Sequence, residues 1–159
     1  MLTVRLITVG TLKESYLREA ADEYKKRLSA FCRVEEVALK EIKLPDAPSA
    51  GQIASALEAE GEEILSQMPP RSFKIVLCVE GKQLCSEELA QRLGDVCALT
   101  STVCFVIGSS HGLSPRVKAA CDMQLSVSRL TFPHQLMRVL LYEIIYRCMN
   151  IQRGTKYHK

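Results

Sequence analysis

Two segments in the last third of this chain carry residue types that could bind a small ligand and do chemistry on it. Gly108-Ser109-Ser110-His111-Gly112 follows directly on the apolar run from Cys104 to Ile107. Glycines at a strand end let main-chain N–H groups approach a ligand without obstruction by a Cβ. The second segment, Val127-Ser128-Arg129-Leu130-Thr131-Phe132, runs into Pro133. That proline suits the first position of a helix and biases Phe132 toward extended backbone, so the N–H and C=O groups before it stay outside any helix. Such groups, set between apolar side chains, match the edge and faces of an adenine. The glycine segment is not a phosphate loop, because no Gly-Lys-Ser/Thr follows, and it lacks the third glycine of the dinucleotide fingerprint. Taken singly, it also reads as a plain strand-to-helix turn, and the second segment as a loop with ordinary core contacts.

Candidate catalytic groups lie close by in sequence. His134 starts the helix after Pro133, where the N-terminal dipole disfavours the imidazolium and leaves a neutral ring able to accept a proton; simple capping or packing is the alternative role. Arg138, one turn further, is placed to face the same pocket. The chain ends in Tyr157-His158-Lys159, a tail too short to pack on its own. Its aromatic ring, imidazole and cation suit an RNA base and phosphate.

The elements that must position these groups follow from periodicity. Thr3 to Val9, Arg33 to Leu39, Phe73 to Val79, Thr102 to Ile107 and a short run from Met123 to Val127 read as strands. Between them, Leu17, Ala20, Ala21, Tyr24, Leu28 and Phe31 recur at helical spacing, with Glu14–Arg18, Asp22–Lys26 and Glu23–Arg27 as outer i,i+4 pairs. Ser49 and Gln52 form a capping box for a helix that Pro69-Pro70 ends, and further helices are predicted over 86–97, 114–120 and 133–150. Strands alternating with helices predict a single α/β domain over 1–159, a mostly parallel sheet with helices on both faces. In such sheets ligands sit outside the carboxyl ends of strands, where both segments fall. The last helix is apolar on more than one face, and a chain of 159 residues has little depth in which to bury it, so a homodimer built partly on this helix is expected.

Bulk properties exclude several classes. No run of about 18 apolar residues and no basic leader with a cleavage site is present, which predicts a soluble protein that neither crosses a membrane nor is secreted. The seven cysteines form no C-x-x-C pair and are odd in number, so neither a metal site nor a disulfide framework is expected, and reduced thiols in the cytoplasm are. Residues 101 to 159 hold eight Lys/Arg against two acidic residues, whereas 46 to 100 hold four against nine. This asymmetry points to a polyanionic partner for the C-terminal third.

In its motifs the chain resembles the RlmH-type rRNA large-subunit pseudouridine methyltransferases of the SPOUT (α/β-knot) superfamily. The resemblance runs the full length: Val-Gly-x-Leu-Lys after the first strand, Glu80-Gly81-Lys82, the FVIG strand, Thr-Phe-Pro-His-Gln-x-Met-Arg-Val at 131–139, and the terminal Arg-Gly-x-x-Tyr-His-Lys. It implies a C-terminal trefoil knot, a rare threaded connection. It also implies S-adenosylmethionine held in that knot by Leu77, Gly108 and Val127, Ser128, Arg129, Leu130, Thr131 and Phe132. The implied reaction is methyl transfer to N3 of a pseudouridine in 23S rRNA, on the assembled ribosome, in the cytoplasm. Since N3 must lose a proton, His158 is the first candidate for base or positioning group, from the tail of either subunit, and His134 the second. Arg138 would stabilise the developing oxyanion; Arg129, Arg153, Lys156 and Lys159 would hold phosphates, and Tyr157 a base. One departure stands out: the family's second glycine is Ser109 here, and a serine forced to positive φ would be strained. A noncatalytic knotted dimer that binds RNA but little cofactor is the rival reading.

Overall fold

The structure, a computed structural model, describes residues 1–159. Five strands form one sheet: β1 (Thr3–Val9), β2 (Arg33–Leu39), β3 (Phe73–Lys82), β4 (Thr102–Ile107) and β5 (Met123–Leu125). Their order is β2-β1-β4-β3-β5, and every pairing is parallel. All strand C-termini therefore lie along one edge, so the ends of β3, β4 and β5 share it.

The helices are α1 (Ser15–Leu28), α2 (Ala50–Gln67), α3 (Ser86–Cys97), α4 (Pro115–Ala119) and α5 (His134–Gln152). The central strands are apolar on both faces, as a sheet covered twice requires. Along β4, Val103, Phe105 and Ile107 join a core with α1, α3 and α5, while Cys104 and Val106 join a second core with α2 and α4. The first is the larger, and fully buried side chains such as Phe105, Leu93, Leu141 and Ile145 each contribute about 1.5–3 kcal/mol to it.

Local signals formed largely as their chemistry requires. Ser49 and Gln52 make both hydrogen bonds of the capping box. Glu23–Arg27 is formed; Lys25 rather than Lys26 pairs with Asp22, and Arg18 turns from Glu14 to the carbonyls of Leu12 and Lys13. Two strand ends differ from the periodic reading, and both differences open the site. β5 stops at Leu125, which leaves Ser126 to Phe132 as loop. β3 runs on to Lys82, but Leu77 and Lys82 both pair with Leu125, so Cys78 to Gly81 bulge out of the ladder. Gly81 makes this possible: a Cβ there would lie 2.7 Å from the Leu125 backbone.

Candidate active site

A cavity of about 690 Å³ opens at the shared strand edge, within the roughly 300–1,000 Å³ usual for small-molecule sites. Its wall comprises the β3 bulge, the turn from Gly108 to Gly112, the loop after β5, and the start of α5 with His134 and Met137. Of the residues predicted to hold a cofactor, Leu77, Gly108, Val127, Ser128, Leu130, Thr131 and Phe132 line it; Arg129 points outward and is exposed.

The glycine turn is tight. Gly112 N–H donates to the Ser109 carbonyl at 3.0 Å, and a Cβ on Gly108 would collide with the Gly112 carbonyl and lie 2.6 Å from Leu113. Gly112 adopts φ +94°, whereas Ser109 does not have positive φ. The strain expected of serine in the family's glycine position therefore does not arise. Ser109 is buried, and Glu60 of α2, which accepts from the Ile42 N–H, has its carboxyl pKa raised by burial.

The loop after β5 has a different character. Ser126 N–H is tied to the Lys82 carbonyl and Leu130 N–H to the Ser128 hydroxyl, but the N–H groups of Val127, Ser128, Arg129, Thr131 and Phe132 have no partner within the chain. Main-chain polar groups rarely stay unpaired unless water or a ligand takes them. Free donors and acceptors beside Leu77, Leu130 and Phe132 fit the edge and faces of a purine, so the residues present suit an adenosine-containing cofactor.

His134 is half-buried on the cavity wall. Burial, assisted by Arg138 and Lys13 and opposed by Glu41, lowers its pKa below the ordinary histidine value, so the ring is neutral at pH 7. Arg138 does not join it. It is 2 % exposed, donates to Glu36 at 3.0 Å and to the Gly10 carbonyl at 2.9 Å, and is absent from the cavity wall. Glu36 also accepts from the Tyr142 hydroxyl at 2.6 Å and from Lys25. Burial alone would raise the Glu36 carboxyl, but Tyr142, Lys25 and Arg138 together hold it below the usual range. Where an oxyanion role was expected, the structure places Arg138 in a buried ion pair that also bonds the Gly10 carbonyl, beside His134.

The C-terminal tail is docked rather than loose. Tyr157 packs edge-on against Tyr146 at 4.7 Å under the Arg147 guanidinium, and its hydroxyl donates to Glu143. His158 lies 2.8 Å from Glu87 at the start of α3 and 3.3 Å from Arg147, away from the cavity wall of its own chain. Arg153 stacks on Phe31 at 4.1 Å and donates to the Ala30 carbonyl. Arg129, Lys156 and Lys159 make no ion pair.

Periodicity did not reveal two wall residues, Glu80 and Lys118, which form an ion pair across the cavity mouth. A glycine inside an apolar strand run, Gly81, was the available signal of a bulge. The seven cysteines are free, no cluster of three or more His, Cys, Asp or Glu residues is arranged to hold a metal ion, and no helix is long and apolar enough to cross a membrane.

The chain is 45% identical over 159 residues to the ribosomal RNA large subunit methyltransferase H of Streptococcus pneumoniae strain CGSP14, and equally to that of strain 70585. Each alignment covers 99% of this chain and 100% of the relative. A family model described as a predicted SPOUT methyltransferase matches residues 2–158. With nearly every residue covered, and the glycine turn and the loop after β5 meeting at one cavity, the chain belongs to the SPOUT methyltransferase family.

Proposed function

We propose that this protein is an S-adenosylmethionine-dependent methyltransferase that modifies N3 of a pseudouridine in 23S rRNA of the large ribosomal subunit. The observation that carries the reading is the set of unpaired N–H groups on Val127, Ser128, Thr131 and Phe132, residues that line a largely apolar cavity together with the Gly108 turn. Full-length similarity to a ribosomal RNA large subunit methyltransferase supports the substrate class. Leu77, Leu130 and Phe132 would hold the adenine faces, and main chain of 127–132 its edge. When bound, the cofactor supplies an electrophilic methyl group on a sulfonium.

The chain's own task is to present a deprotonated nitrogen to that methyl. His134, neutral and on the cavity wall, is positioned to accept the N3 proton. His158 cannot do so from its own docked position, so its part would be played at the cavity of a second copy or after the tail swings free. A homodimer is supported by α5, where Leu136, Met137, Leu140 and Ile144 remain only half-buried in one chain. Arg129, Lys156 and Lys159, left without ion-pair partners, are available for phosphates. The knot is supported by connectivity: β4 and β5 flank β3 on opposite sides, with α4 crossing on one face of the sheet and α5 returning on the other.

Ribosomes lacking the modification, incubated with this protein and cofactor, should gain one methyl group at N3 of a single 23S pseudouridine when the rRNA is mapped by mass. Transfer to free rRNA fragments only, or none with cofactor bound, would overturn the reading. If His158→Ala leaves the single-turnover rate unchanged, the tail histidine has no part in the chemistry.

A further inference from the structure

Among the residues lining the cavity, Glu80 is the only carboxylate and Lys118 the only lysine or arginine. The two come from different elements. Glu80 stands on the β3 bulge, turned outward because Gly81 is pressed against the backbone of β5; Lys118 is on α4. They meet as a hydrogen-bonded ion pair at the mouth, with 58% and 27% of their side chains exposed. The rest of the wall, from Leu77 through Val127 to Phe132, offers apolar surface and neutral main chain.

We infer that Glu80 and Lys118 form a clamp for a zwitterionic amino-acid group, Glu80 taking an ammonium and Lys118 a carboxylate. This deepens the cofactor reading and rests on it: the methionyl end of S-adenosylmethionine carries both charges on one carbon, and the wall provides one matching pair. An exposed ion pair by itself contributes little to stability. Inserting the zwitterion replaces that contact by two charge-assisted hydrogen bonds inside a site that excludes part of the solvent. Lys118 holds the Glu80 carboxyl below its usual range, so the acceptor stays ionised throughout the physiological window.

The bland alternative is a brace that fastens the β3 bulge to α4. Calorimetric titration with S-adenosylhomocysteine and 5′-methylthioadenosine separates the two, because both ligands carry the adenosine and the sulfur but only the first has the amino-acid group. With Glu80→Gln or Lys118→Met, affinity for S-adenosylhomocysteine should fall about tenfold while that for methylthioadenosine stays within about twofold. Parallel losses for both ligands would establish the brace, and unchanged affinity for both would remove the pair from the site; either overturns the clamp. If the unaltered protein binds neither ligand, the cofactor reading itself has failed, a result distinct from both.

Discussion

The loop after β5 and the cluster of Glu36, Arg138 and Tyr142 make opposite use of polar groups, although one turn of α5 separates His134 from Arg138. In the loop, five N–H groups lack partners, and four of them belong to residues that line the cavity. In the cluster nearly every polar atom is bonded: Glu36 takes three donors, Arg138 bridges two elements, and only the Arg138 Nε is left over. A site that must bind something keeps its hydrogen-bonding capacity unspent, while a site that must hold the fold uses it up. Residue type says little here, since the sequence assigned both the loop and Arg138 to the same pocket.

The contrast can be tested from its structural end first. Arg138→Met should take one of three donors, and the buried counter-charge, from the Glu36 carboxylate and lower unfolding free energy by about 3 kcal/mol, measured by urea denaturation; a loss under about 1 kcal/mol would show that the cluster does not hold the fold. Gly108→Ala forces a Cβ into the turn and should cost about 1–3 kcal/mol of stability. Unlike the arginine change, it should also weaken cofactor binding beyond what the stability loss explains.

At the binding end the effects are functional. With cofactor saturating, the single-turnover rate should fall as pH drops below the depressed pKa of His134, because protonation removes the acceptor; His134→Gln should be slow and lack this acid limb. The limb's survival in the variant would move the base elsewhere. The smallest effect belongs to Ser109→Gly, which should leave cofactor affinity within about twofold and cost about 0.5–1 kcal/mol, because the position has no positive φ to relieve.

How much of this was legible in the sequence depended on the range of the interaction. β1, β2, β4 and α3 fall where alternation and apolar runs placed them, and the pair Glu23–Arg27 follows from i,i+4 spacing. The cavity's two main segments were also visible, because glycine, proline and their neighbours act locally. The ion pair of Arg138 was not legible because Glu36, its partner, lies 102 residues away and only strand order brings them together. The docking of Tyr157 and His158 was hidden for the same reason: helical spacing cannot show that Glu143, Arg147 and Glu87 converge on the tail.

The double pairing of Leu125 has a mechanical consequence. Because Leu77 and Lys82 are both anchored to that one residue, the four positions between them are an exchangeable module on a fixed frame. Cys78, Val79 and Glu80 can be rewritten to retune ligand preference while the sheet keeps its register, provided Gly81 is retained against the β5 backbone.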